Sequence, residues 1–216
     1  MPQVRSFGRP HAMKAVCVAG LLASLAACDR TEVHGDGDAK YIVRYFPNHI
    51  RQEEGFERNG KRDGIWTFYF DDTGNRCGQD VFVNGVLDGL TVRWHENGQV
   101  REEGQFRNGE RVGTWIDRYD SGEKRSEGVF EHDSPSGPST VWFDNGRASA
   151  AGSWVGGLKD GEWKVWYESG QLRSLGSYIK GQMQGQWDFF METGEVDKAL
   201  TGLYVDDVLV EPRVRR

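Results

Sequence analysis

Glu53-Glu54 and Glu102-Glu103 are residues whose type and pairing could do chemistry. Paired carboxylates can divide acid and base work across a glycosidic bond. Here, however, the two pairs stand at the same place of a repeated pattern, just before Gly55 and Gly104, and neighbouring residues of a strand point to opposite faces. Repetition explains them without catalysis. Gly35-Asp36-Gly37-Asp38 has the superficial look of a calcium loop but lacks the remaining ligands and their spacing. His34, His49, His95 and His132 are dispersed, and no two stand at a metal-ligand spacing. Cys77 has no neighbouring His in its unit to activate it, so it reads as a half-buried structural thiol. No Ser-His-Asp candidate, phosphate loop or dinucleotide fingerprint appears. The expectation is a non-enzymatic protein with no metal and no cofactor.

Glycine sets the elements that carry these residues. It recurs at Gly64, Gly89, Gly113, Gly137, Gly161 and Gly185, in steps of 25, 24, 24, 24 and 24 residues. A second series runs through Gly98, Gly122, Gly146, Gly170 and Gly194, arriving one residue late at Gly74, and a third through Gly104, Gly128, Gly152 and Gly176. Such self-similarity marks a repeat array. With 29 Gly, 8 Trp, 11 Phe and 7 Tyr but only 37% hydrophobic residues, the chain is rich in turns and aromatics and poor in aliphatic core material. Glycine this frequent disfavours helix. Strand alternation is present instead, as in Trp163, Val165 and Tyr167 against Lys164, Trp166 and Glu168. The dipeptides Asn59-Gly60, Asn84-Gly85, Asn97-Gly98, Asn108-Gly109 and Asn145-Gly146 are expected to form type I′ hairpin turns. The resulting fold class is all-β: an elongated single-layer antiparallel meander of tandem β-hairpins, about 24 residues per repeat.

Stacking the copies gives columns. Two places after the boundary glycine stand Trp66, Thr91, Trp115, Ser139, Trp163 and Trp187. At five places stand Tyr69, Trp94, Arg118, Trp142, Trp166 and Phe190, and at six places Phe70, His95, Tyr119, Phe143, Tyr167 and Met191. Both faces of the sheet therefore carry aromatic ladders. The first column alternates large with small and is expected to be the more buried. The second, Tyr69, Trp94, Arg118, Trp142, Trp166 and Phe190, is the candidate binding face, because Arg118 requires water or an acidic partner.

The pattern Gly-x-Trp-x-x-Trp/Tyr-Tyr-x-x-Gly, then Gly, then Phe/Tyr-x-Asn-Gly resembles the bacterial variant of the MORN repeat, most closely in Glu162–Gly185 and Gly89–Gly113. The resemblance covers about Tyr41 to Asp206 and implies an elongated β-meander that acts in scaffolding, protein contacts or membrane association. It also brings an antitoxin label carried by some bacterial proteins of this type. His132-Asp133-Ser134-Pro135 replaces the Asn-Gly turn in one copy, and Thr91 and Ser139 replace the first Trp; those units are expected to be locally irregular.

The amino terminus adds a second signal. Met13-Lys14 precedes Ala15 to Leu25, apolar and uncharged but too short for a permanent transmembrane helix. Leu25-Ala26-Ala27-Cys28 resembles the bacterial lipobox, which implies that Cys28 is lipidated after removal of the signal peptide, residues 13–27. Residues 1–12 read as an upstream extension, with Met1 or Met13 the true start. Processing would remove three basic residues and no acid, leaving 24 Lys plus Arg against 33 Asp plus Glu. That acidic body argues against nucleic acid and against electrostatic adhesion to anionic lipid, so membrane contact would come from the lipid. Asp29 resembles the residue that retains lipoproteins in the inner membrane of many Gram-negative bacteria, which implies a periplasm-facing protein. Residues 28–40 read as a flexible tether, 41–206 as the repeat domain and 207–216 as a C-terminal tail. The expected function is a lipid-anchored envelope module that docks another protein. The alternatives are an antitoxin or immunity partner that covers a toxin, and a glycan-binding module using Trp94, Trp142 and Trp166 as stacking platforms.

Overall fold

The computed structural model describes residues 30–212. The signal peptide, Cys28 and Asp29 lie outside the described residues. Every regular element among those residues is a strand. The first eight are β1 (Thr31–His34), β2 (Ala39–Tyr45), β3 (Arg51–Arg58), β4 (Lys61–Tyr69), β5 (Arg76–Val83), β6 (Val86–Trp94), β7 (Val100–Arg107) and β8 (Glu110–Arg118). The second eight are β9 (Lys124–Glu131), β10 (Ser134–Trp142), β11 (Ala148–Val155), β12 (Leu158–Trp166), β13 (Leu172–Ile179), β14 (Gln182–Phe189), β15 (Gly202–Val205) and β16 (Val208–Pro212). They form one open antiparallel sheet in strict sequence order.

The sheet extends past both ends assigned from sequence. Thr31–His34, placed in a flexible tether, is an edge strand with Val33 opposite Ile42. Gly35 and Gly37, read as tether composition, supply the positive φ of its turn (100° and 72°). At the other end the expected tail contributes β16, paired to β15.

Two kinds of turn alternate. The tight ones place both central residues at positive φ, as at Asn59-Gly60 (52° and 73°), Asn84-Gly85 (51° and 88°) and Asn108-Gly109 (50° and 86°), the geometry whose twist matches the flanking strands. His132-Asp133, expected to be irregular, adopts the same pair (48° and 63°), since His and Asp are among the non-glycine residues that tolerate this region. Asn97-Gly98 and Asn145-Gly146 depart from the type I′ expectation. Only the glycine takes positive φ there, because these turns are wider: His95 N donates to Gln99 O at 2.8 Å and Gly98 N to His95 O at 2.9 Å. The asparagine has other work. Asn97 Oδ1 accepts from Gln99 N at 3.0 Å while its Nδ2 donates to Asp120 O of the next repeat at 2.6 Å. Asn145 bridges in the same way to Glu168 O at 3.1 Å.

The core of this single layer is a row of indoles lying on glycines. Trp66, Trp115, Trp163 and Trp187 are 0%, 7%, 5% and 2% exposed. Trp66 stands opposite Gly55, and a Cβ on that glycine would meet the indole at 2.6 Å; Gly104, Gly152 and Gly176 lie under Trp115, Trp163 and Trp187 in the same manner. Edge-to-face contacts run along the row, with Trp115 between Phe106 and Phe130 (5.1 and 6.2 Å) and Trp163 between Trp154 and Tyr178 (5.2 and 6.2 Å). Cations cap it. Arg62 lies 4.5 Å from the Trp66 ring, Arg111 5.6 Å from Trp115 and Lys159 Nζ 4.5 Å from Trp163, so alkyl stems and π-faces replace a covering layer. Burial holds the Lys159 ammonium below its ordinary pKa.

The two units without a first Trp remain regular. Asp80 stands where the others have the row glycine and faces Thr91 across the ladder. Thr91 Oγ1 donates to the Asp80 carboxylate, and Arg93 grips it with both terminal nitrogens, at 2.6 and 2.9 Å. A side chain on the floor leaves no room for an indole above it, and the polar trio fills the gap with its charge paired. In the other unit Ser139 faces Gly128, and a Cβ on Gly128 would meet only the Ser139 side chain, at 3.4 Å, where the other row glycines lie under an indole.

Candidate binding face

Tyr69, Trp94, Arg118, Trp142, Trp166 and Phe190 lie at or just beyond the ends of β4, β6, β8, β10, β12 and β14, on the face opposite the indole row, and all are half-buried. Their partners across the ladder are Arg76 for Tyr69, Val100 for Trp94, Lys124 for Arg118, Ala148 for Trp142 and Leu172 for Trp166. At each of these pairs the register shifts by a residue, a bulge that re-aims the side chain where the strand enters the wide turn.

The next column holds this one in position. Tyr119 OH donates to Trp142 O at 2.8 Å, Tyr167 OH donates to Phe190 O at 2.9 Å, and the His95 ring nitrogen Nε2 lies 2.9 Å from Arg118 O. Each ring thus ties its own turn to the carbonyl of the column residue one repeat later. The sixth-place rings are stitches, a role their sequence spacing did not reveal.

Charges border the column. Arg118 meets Glu103 at 2.9 Å, so the acidic partner that its position demands is supplied within the chain, and Arg118 does not by itself mark an external acidic contact. Tyr69 OH donates to Glu54, which also pairs with Arg51 at 3.1 Å. Burial, then the Glu54 carboxylate, push the Tyr69 hydroxyl pKa up to about 12. Lys124 Nζ lies 5.8 Å from the Trp142 ring and 2.6 Å from Glu127. Arg76 sits 5.2 Å from the Trp94 ring and has no ion pair among the described residues.

The surface is indented around Trp94. This ring is shared by a cleft of about 270 Å3 on the Arg76 side and one of about 430 Å3 that reaches Arg101 and Asp120. The glutamate pairs are spread through the network and do not converge: Glu53 lies between Arg44 and Arg62, and Glu54 contacts Tyr69. Cys77, 2% exposed, packs with Ile42, Trp66, Phe68 and Phe82. It is the residue that the β4–β5 register skips.

Two segments, residues 87–108 and 159–180, match the family model for the MORN repeat variant. Those two segments are similar to the MORN repeat variant. Both matches begin just before a boundary glycine, Gly89 or Gly161, and run through the wide turn to the following tight one. Each therefore contains one residue of the half-buried column, Trp94 or Trp166. MORN-variant repeats of this kind are consistent with a protein-interaction or scaffold module and are generally non-enzymatic. No curated protein matches the chain.

Proposed function

We propose that the protein is a lipid-anchored, non-enzymatic scaffold of the bacterial cell envelope that docks another protein through the column Tyr69, Trp94, Arg118, Trp142, Trp166 and Phe190. The observation that carries this reading is the difference between the two ladders: the Trp66, Trp115, Trp163 and Trp187 rings are at most 7% exposed beneath their cations, whereas every residue of the other column keeps accessible surface. Rings that a thin sheet leaves half-open, once every two strands or roughly 10 Å apart, form an extended contact surface of the kind that marks partner sites. The anchor rests on Leu25-Ala26-Ala27-Cys28; inner-membrane retention facing the periplasm rests on Asp29. Fractionation of Cys28→Ser tests the anchor. The variant is expected in the soluble periplasmic fraction and the wild type in the membrane with a lipid on its new terminus; a wild type without lipid would refute it.

A further inference from the structure

We infer that the cleft between Trp94 and the turn at Asp120 is a binding site for an uncharged pyranose of a glycan. The cleft, about 430 Å3, is bordered by Phe70, Trp94, His95, Glu96, Arg101 and Asp120, a volume within the range of small-ligand sites. Its partners divide into two groups. His95 and Asn97 are already committed, His95 Nε2 to Arg118 O at 2.9 Å and Asn97 to Gln99 N and Asp120 O. Glu96, Arg101 and the Asp120 carboxylate form no hydrogen bond or ion pair among the described residues.

That set is selective by chemistry. Two carboxylates oppose an anion, and the Arg101 guanidinium in the same cleft weakens their hold on a cation. A hydroxyl satisfies both kinds of group at once, since it donates to a carboxylate and accepts from a guanidinium. A pyranose with equatorial substituents adds a flat face of C–H bonds, whose positive edge suits the negative face of an indole. Arg76 lies 5.2 Å from the Trp94 ring and lines the neighbouring cleft, not this one. The committed residues supply rigidity: Asn97 bonds the rim to Asp120 O at 2.6 Å, so the two walls belong to consecutive repeats yet are tied together. This site goes beyond protein docking, which uses the whole column, and it draws on Arg101 and Asp120, which that column does not contain.

The test is NMR titration of the isotopically labelled protein with chitotetraose, with oligogalacturonate and glucosamine oligomers as the anionic and cationic counterparts. Chitotetraose is expected to shift the Trp94 indole resonance saturably. Trp94→Ala should weaken binding by about tenfold or more, and Arg101→Ala and Asp120→Ala, at accessible positions that leave the fold unchanged by circular dichroism, by several-fold each. Capture of a protein partner by Arg101→Ala and Asp120→Ala should equal that of wild type, which separates this site from the docking column. No shift at Trp94, tighter binding of either charged oligomer, or equal shifts at Trp94 and Trp166 would overturn the assignment.

Discussion

The indole of Trp66 lies across the backbone of Gly55, so close that a Cβ on the glycine would stand 2.6 Å from ring atom Cγ. The same superposition recurs at Gly104 with Trp115, Gly152 with Trp163 and Gly176 with Trp187. A one-layer sheet thus buries its largest side chains in the space that missing side chains leave on the neighbouring strand. Gly104→Ala should lower stability by about 1–3 kcal/mol, because the ring has no free direction of retreat between Phe106 and Phe130. Urea denaturation checks this, and an unchanged midpoint would mean that the ring is free to move.

The unit with Ser139 gives the converse. A Cβ on Gly128 would meet only the Ser139 side chain, at 3.4 and 3.7 Å, where Gly104 and Gly152 lie under an indole. Val129 O stands at the place of the carbonyls that accept from Trp66, Trp163 and Trp187, namely Phe56 O, Ser153 O and Ser177 O at 2.8, 3.0 and 3.1 Å. Ser139→Trp should therefore raise stability, by about 1–2 kcal/mol. A thermal midpoint at or below that of wild type would show that the slot cannot take the ring.

Gly98 has φ 84°, and a Cβ there would meet nothing within 4 Å. Substitution is penalised by the backbone alone. Gly98→Val should cost about 1–3 kcal/mol, while Gly98→Asn, which accepts this region, should cost much less. Equal denaturation curves for Val and Asn would contradict it.

His132 Nδ1 lies 2.6 Å from Glu110 Oε2 across consecutive tight turns, and that hydrogen bond, then the carboxylate charge, raise the imidazole pKa above its ordinary value. A raised folded-state value means that the stabilisation is fully present below the unfolded value of about 6.5 and is lost as pH rises through the folded one. NMR titration should give His132 the higher pKa in wild type and a lower one in Glu110→Gln. Coincident curves would show that the pair does not form in solution.

Much of this was legible because each repeat is written in the same places. The glycine steps fixed the strand number per unit, and the column of Trp66, Trp115, Trp163 and Trp187 announced its burial by alternating with small residues. Three things were hidden. Asn97-Gly98 and Asn108-Gly109 are the same dipeptide, and only the distance to the neighbouring strand ends decides which turn each forms. The aromatics Phe106, Phe130, Trp154 and Tyr178, two places after the row glycines, were visible as turn-flanking residues, but their contacts with the indoles depend on a register shift that no single unit displays. Asp80 is not singled out by the sequence at all; only its pairing with Thr91 and Arg93 shows one substitution compensating the other. For the column of Tyr69, Trp94, Arg118, Trp142, Trp166 and Phe190, its partial exposure was legible and Arg118 misleading, since Glu103 satisfies it from within.

The division of labour between the two ladders is tested most directly by comparing Trp94→Ser with Trp142→Ser in one double variant against Trp115→Ser, reading crosslinked partner yield in the intact envelope and the thermal midpoint on the same preparations. The double variant should lose most of the crosslinked partner with its midpoint nearly unchanged, and Trp115→Ser should lose about 3–5 kcal/mol of stability while the fraction still folded captures the partner normally. Unaltered capture by the double variant, together with loss of capture by folded Trp115→Ser, would contradict it and move the docking surface to the indole row.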